Sequence, residues 1–330
     1  MSATIETTAD AAAIHTPPFP GMVWIPAGTF RMGSDQHYPE EAPAHQVKVD
    51  GFWMDAAPVT NAQFSEFVDA TGHVTFCELP PDAADYPGAD PAMLVAASVV
   101  FVPPAHAVDL RNPYEWWHFV AGADWRHPQG PDSSLEGRDD HPVVHLTFAD
   151  VEAYAQWAGK QIATEAEWEW AARGAGGDTE YAWGDELVPE GRHMANTFQG
   201  EFPWQNLVED GHAGTSPIGS FPVNGYGLYD MIGNVWEWTS DWYSPKHAEP
   251  AAKACCIPSN PRGPAKDDSY DPGQPIRIPR KVMKGGSHLC APNYCRRYRP
   301  AARMAQPLDT STSHLGFRCI VRNQTAGDQN

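Results

Sequence analysis

Three segments of the chain repeat apolar residues at helical spacing, and each carries the same start and stop signals. In "PVTNAQFSEFVDATG", Phe64, Phe67 and Val68 fall at i, i+3 and i+4. Thr60 precedes the run with Gln63 three residues on, a capping box, and Gly72 follows at the position that favours a left-handed residue. "LTFADVEAYAQWAGK" repeats this with Thr147, Asp150 and Gly159. "ATEAEWEWAARGA" repeats it with Thr164, Glu167 and Gly174, and turns Trp168 and Ala171 or Ala172 toward a core. The pattern predicts three helices. Near the start, "GMVWIPAGTFRMGS" alternates Val23, Ile25 and Phe30 with turn residues, as short strands of a half-buried sheet do.

Beyond Gly174 the regularity lapses. "YAWG", "FPVNGYGLYDMIGNVWEWTSDWY" and "GGSHLC…LGFRCIVR" are short apolar pieces broken by Gly, Pro and Asn, which predicts short strands in irregular structure. Residues 79–114 and 244–280 read as long loops. No repeat and no shift in composition divides the chain. We expect one domain over residues 21–324, between a disordered tail of Ala, Thr and Pro at 1–20 and a short tail at 325–330.

Composition narrows the function classes. The 13 Trp argue for a folded chain, and the 32 Pro and 28 Gly for a loop-rich one. A net charge of −20 disfavours nucleic acid and anionic membrane as partners, and tolerates an Arg-bearing substrate. The N-terminus lacks a signal-like apolar segment, and no apolar run is long enough to span a bilayer, so the expected location is the cytoplasm. Six cysteines in 330 residues do not make a disulfide scaffold.

One stretch departs from the acidic background. Around "GGSHLCAPNYCRRYRPAAR" stand seven cations, Arg280, Lys281, Lys284, Arg296, Arg297, Arg299 and Arg303, with no Asp or Glu among them. Cations stabilise thiolate over thiol, so Cys290 and Cys295 are candidates for a lowered pKa, unless those cations pair with carboxylates elsewhere. Two thiolates suit a soft metal such as Cu(I), or a redox-active disulfide. Structural zinc wants four ligands, and no second cysteine pair has the spacing for it. Gly285 and Gly286 permit a close backbone approach or a positive φ just before Ser287. Cys77, Cys255 and Cys256 suggest no role.

These residues, in the frame "KVMKGGSHLCAPNYCRRYRPAAR…STSHLGFRC", resemble the C-terminal signature of formylglycine-generating enzymes, the sulfatase-modifying-factor family. "GADWRHPQGP", "GNVWEWTSDWY" and the helical segments resemble it too, over roughly residues 21–322. The resemblance implies one α+β domain related to C-type lectins, with low regular secondary structure. It implies an oxidase that converts the cysteine of a Cys-x-Pro-x-Arg sequence in an unfolded sulfatase to Cα-formylglycine, using O2 and a thiol reductant.

Carried over by residue, the resemblance makes Cys290 and Cys295 the Cu(I)-holding pair, completed by the substrate's own thiolate. Ser287 and Tyr294 would line the site as polar catalytic residues, with Trp125, Trp236 and His314 on the substrate side. Two structural Ca2+ ions are implied as well. One would be held by Asn196, Thr197, Asp210 and His212, the other by Asp230, Gly233, Val235 and Glu237. His288 stands where many relatives carry an aromatic residue, and His314 where some carry Asn. Two readings of other classes remain: a thiol–disulfide oxidoreductase using the cysteine pair, and a non-catalytic lectin-like binding module. An iron enzyme forming C–S bonds would need a His-rich array that the sequence lacks.

Overall fold

The computed structural model describes residues 16–249 and 256–323. The three capped segments are helices: α1 Asn61–Thr71, α2 Phe148–Trp157 and α3 Glu165–Arg173. Their caps work as the sequence implies. Gln63 N donates to Thr60 Oγ1 while Thr60 N donates to Gln63 Oε1, and Thr164 and Glu167 form the same exchange on α3. Gly72 and Gly174 close α1 and α3 at φ 70° and 58°. Phe64, Phe67 and Val68 are buried, as are Trp168, Ala171 and Ala172.

The strands are short. They run β1 Met22–Ile25, β2 Gly28–Met32, β3 His45–Val49, β4 Phe52–Asp55, β5 Ala97–Phe101, β6 Trp117–Ala121, β7 Gln161–Ile162, β8 Gly200–Glu201 and β9 Gln205–Asn206. The last five are β10 Trp236–Trp242, β11 Arg280–Lys284, β12 Arg303–Pro307, β13 Leu315–Gly316 and β14 Cys319–Arg322. One sheet has the order β1-β4-β14-β7, so the last strand lies between the fourth and the seventh. The other has the order β12-β11-β10-β13, with β13 parallel to β10. Three two-stranded ribbons, β2-β3, β5-β6 and β8-β9, decorate them. This is the α+β domain of low regularity that the sequence suggests.

Two expectations change. The expected loop at 79–114 contains β5, whose "ASVVF" pairs with β6 from Ala97↔Ala121 to Phe101↔Trp117. Its β-branched residues favour a pleated strand, but the surrounding Pro and Gly residues conceal so short a run. Of the expected N-terminal tail, residues 1–15 lie outside the described residues. Phe19 is described, and its ring lies 5.4 Å from Lys160 Nζ. The stretch 244–280 is irregular where described, and Cys255 falls outside it. Among the described residues no helix is long and apolar enough to cross a membrane.

A buried ionic chain joins α3 to the second sheet. Lys284 Nζ lies 3.0 Å from Glu169 and 3.6 Å from Glu165. Glu169 also pairs with Arg173 at 2.8 Å, and Glu165 with Arg303 at 2.7 Å. Burial alone would raise the pKa of Glu169; Lys284, then Arg173, overcome it and leave the carboxyl at about 2. Because the folded pKa lies below the ordinary 4.5, the stabilisation is full above that value and is lost as pH falls toward about 2. Replacing Lys284 with Met removes one of the two cations beside each of two buried carboxylates and should cost up to about 3–5 kcal/mol. Urea unfolding followed by Trp fluorescence checks this, and the wild type should lose stability between pH 4.5 and 2.

Candidate active site around Cys290 and Cys295

β11 leads into Gly285 and Gly286, with φ 95° and 72°. A Cβ on Gly285 would stand 3.0 Å from Met231 O and 3.1 Å from the Trp168 ring; one on Gly286 would stand 2.9 Å from Arg297 O. Two glycines are required because the chain threads between α3 and the backbone that follows the cysteines. Ser287 then opens a turn: Leu289 N donates to its Oγ, and Cys290 N to its carbonyl. A second turn, in which Tyr294 N and Cys295 N both donate to Ala291 O, folds the chain back on itself. The two sulfurs end 3.2 Å apart, both free thiols and both buried. An S–S bond measures about 2.05 Å, so this is a thiol contact and not a disulfide.

The two thiols do not titrate alike. The hydrogen bond from Cys290 is the largest influence on Cys295; with the Arg297 guanidinium it overcomes burial and holds Cys295 below the ordinary thiol range. Cys290 is pushed well above that range, by burial first and by Cys295 next. The expectation of two lowered pKa values therefore holds for Cys295 alone. The surrounding cations explain why. Lys284, Arg303, Arg280 and Arg299 are matched by Glu169, Glu165, Asp271 and Glu41. Lys281 donates to Ser240 O and lies 3.6 Å over the Trp242 ring. Arg297 reaches sulfur: its Nη1 is 3.9 Å from Cys295 Sγ.

Aromatic side chains wall the pair. The Tyr294 ring, 39% exposed, stacks on Phe202 at 4.4 Å and meets Trp116 edge-on at 5.4 Å. Burial first, then Cys295, raises its phenol pKa, so it stays a donor. Phe101 joins Phe202 to Trp117, and Trp117 lies 4.7 Å from His314. Burial, with His288 and His145 nearby, lowers His314 to about 3; burial lowers His288 to about 4. Both rings are neutral at pH 7. His288 Nδ1 lies 2.8 Å from Asn234 O, and His314 Nδ1 2.7 Å from Thr312 Oγ1. Trp125 and Trp236 are core residues here, 1% and 2% exposed, with Trp125 packed on Phe64. Sequence reasoning missed Trp116, Trp117 and Phe202; the doublet in "YEWWHF" was the available signal. Cys77 and Cys319 are buried and Cys256 is exposed.

The two expected oxygen clusters are both next to this segment. Thr197 O and Asp210 Oδ2 converge on Gln199 Nε2, and Asn196 Oδ1 is buried without a hydrogen-bond partner. His212 N donates to Asp210 Oδ1. In the other cluster, burial raises the Asp230 carboxyl and Glu237 adds to the rise, while Arg318 and Trp168 Nε1 occupy Glu237. Gly233 N donates to Gly285 O, and Asn234 N to Asn196 O, so the clusters brace the cysteine segment and each other. Among the described residues, no three His, Cys, Asp or Glu side chains gather as a metal site. A hard cation here would need amide and backbone oxygens as well.

A family model described as the sulfatase-modifying factor enzyme 1-like domain matches residues 7–323. The chain belongs to the sulfatase-modifying-factor family. It is 53% identical over 301 residues to the formylglycine-generating enzyme of Mycobacterium tuberculosis, covering 91% of this chain and 97% of that one. It is 44% identical over 310 residues to the formylglycine-generating enzyme of Mus musculus, covering 93% and 76%. Among solved structures, PvdO from Pseudomonas aeruginosa superposes with a TM-score of 0.59 at 23% identity, over 92% and 94% of the chains, and so shares the fold.

The thiol asymmetry is open to test within this family fold. Metal-free protein treated with iodoacetamide near neutral pH should be alkylated at Cys295 and spared at Cys290, as mapped by peptide mass spectrometry. In Cys290→Ala the hydrogen-bond donor is gone, so the pH at which Cys295 becomes reactive should move upward.

Proposed function

We propose that this chain is a formylglycine-generating oxidase acting on a cysteine in a sulfatase polypeptide. The observation that carries this is the buried thiol pair with its sulfurs 3.2 Å apart, in a chain 53% identical to a protein of that name. In balanced form, one substrate cysteine, one O2 and two molecules of a small thiol yield formylglycine, hydrogen sulfide, a disulfide and water. The substrate thiol carbon and the reductant each lose two electrons, and O2 takes up all four.

Cys290 and Cys295 are fitted to hold Cu(I). Two soft sulfur donors, with no cluster of three His, Cys, Asp or Glu among the described residues, would suit a soft, low-coordinate ion. Cys295, the thiol held below its ordinary range, would be the readier of the two donors to such an ion. Bound there, Cu(I) supplies one-electron chemistry toward O2, which no side chain of the protein has. The chain's own groups do the rest. Ser287 Oγ fixes the first turn and, through it, the direction of the Cys290 side chain. Tyr294 keeps its proton and presents a hydroxyl beside the pair. Tyr294, with the half-buried Phe101, Trp117 and His314, offers a surface against which a peptide can dock and water be excluded. The net charge of −20 suits an Arg-bearing segment such as Cys-x-Pro-x-Arg.

Two Ca2+ ions are proposed as structural. The unpartnered Asn196 Oδ1 and the converging Thr197 and Asp210 oxygens support the first site. The buried Asp230, its carboxyl raised by burial and by the nearby Glu237, supports the second, for which Gly233 and Val235 would add backbone oxygens.

With Cu(I), O2 and a thiol, wild-type protein should convert a Cys-x-Pro-x-Arg peptide to a product in which oxygen replaces sulfur and two hydrogens. Cys290→Ser and Cys295→Ser should each abolish conversion. A peptide of unchanged mass, incubated with copper-loaded wild type, refutes the assignment. If only a peptide disulfide forms, without copper, the thiol–disulfide reading takes its place. Chelating Ca2+ should lower the melting temperature of wild type and leave that of Asp210→Asn less changed, read by differential scanning calorimetry.

A further inference from the structure

Arg297 is set apart from the other cations by what holds it. Its Nη2 donates to Glu40 Oε1 at 2.6 Å, and its guanidinium lies 3.8 Å over the Tyr38 ring. Tyr38 Oη in turn accepts from Arg296 N at 3.0 Å. Both partners come from the segment 38–40, far away in sequence. The fork is thereby fixed with Nη1 directed at Cys295 Sγ, at 3.9 Å. Arg297 Nε is buried and has no hydrogen-bond partner. An arginine held only to pair with Glu40 would not need to face sulfur or leave a buried N–H unmet.

A charge argument gives this geometry a purpose, and it rests on the copper reading above. Two thiolates and one Cu(I) leave one negative charge in a buried site, and a buried charge is costly unless it is matched. Arg299, two residues on, is committed to both oxygens of Glu41. Lys284 and Arg303 are committed to Glu169 and Glu165. We propose that Arg297, braced by Tyr38 and Glu40, is the positioning residue whose charge balances the copper-loaded Cys290–Cys295 pair. Glu40 orients the guanidinium at the expense of part of its charge, and the Tyr38 face stabilises the remaining cation. Arg297 touches neither substrate nor metal in this scheme; it acts through Cys295.

The test is Cu(I) affinity, measured anaerobically by competition with a chromophoric Cu(I) chelator, with circular dichroism and melting temperature as checks on folding. Arg297→Gln should weaken Cu(I) binding by about 10- to 100-fold, the usual cost of removing an outer-shell partner. Arg297→Lys breaks the fork but keeps the charge, and should restore most of the loss. Glu40→Gln removes the opposing charge and should bind Cu(I) as tightly as wild type, or tighter. A purely structural clamp predicts the opposite, with all three variants weakened alike, and that result overturns the proposal. So does Arg297→Gln binding as tightly as wild type. Should Arg297→Gln fail to fold, Arg297→Lys and Glu40→Gln decide: retained affinity in both supports the charge role, and loss in both overturns it. Wild type that takes up no Cu(I) would overturn the copper assignment itself, and this inference with it.

Discussion

The buried fork between Arg318 and Glu237 is the interaction on which the rest of this architecture hangs. Arg318 Nε and Nη2 both bond Glu237, and the remaining guanidinium hydrogens go to carbonyls of Asp55, Ala56, Tyr229 and Asp230. One side chain thus joins β4, the loop before β10, β10 itself and the entry to β14. Glu237 accepts in addition from Trp168 Nε1, which fixes the indole that crowds Gly285. From fork to indole to glycine, the path ends two turns before the sulfurs. Arginine is suited to the post because a planar guanidinium satisfies two carboxylate oxygens and several carbonyls at once. Its cost is the usual one for buried charge: the arrangement is stable only while every member is present.

That dependence also explains the geometry at the cysteines. A hydrogen-bonded pair of sulfurs is held by short local turns, but the turns are aimed by their surroundings. Phe198 N donates to Cys290 O, and His288 N to Asn234 O, so neighbouring loops hold the segment along its length. The stacked Tyr294 and Phe202 rings close the other side. The sulfurs are thus buried under hydrogen-bonded backbone, while the Tyr294 ring beside them stays 39% exposed.

How much of this could be read from the chain depended on the range of the interaction responsible. The helices were legible because Thr60, Gln63 and Gly72 act within one turn of each other. The cysteine pair was legible as a candidate because its charge and glycines lie in one stretch. The strand at Ala97–Phe101 was not, since pairing with Trp117–Ala121 makes it a strand and its own five residues do not declare it. Nor was the unequal behaviour of the two thiols: the sequence shows seven cations, and only the fold reveals that most are spoken for by Glu41, Glu165, Glu169 and Asp271. Trp116 was indistinguishable among 13 tryptophans until Tyr294 was seen against it.

The place of β14 carries a consequence for how the molecule is made. Val321 pairs with Trp53, and the strand that contains it fills the gap between β4 and β7. A chain emerging from the ribosome can form its helices early, but its first sheet stays split until β14 has emerged. Until then the nascent chain carries an open sheet edge, a state that calls for protection from aggregation.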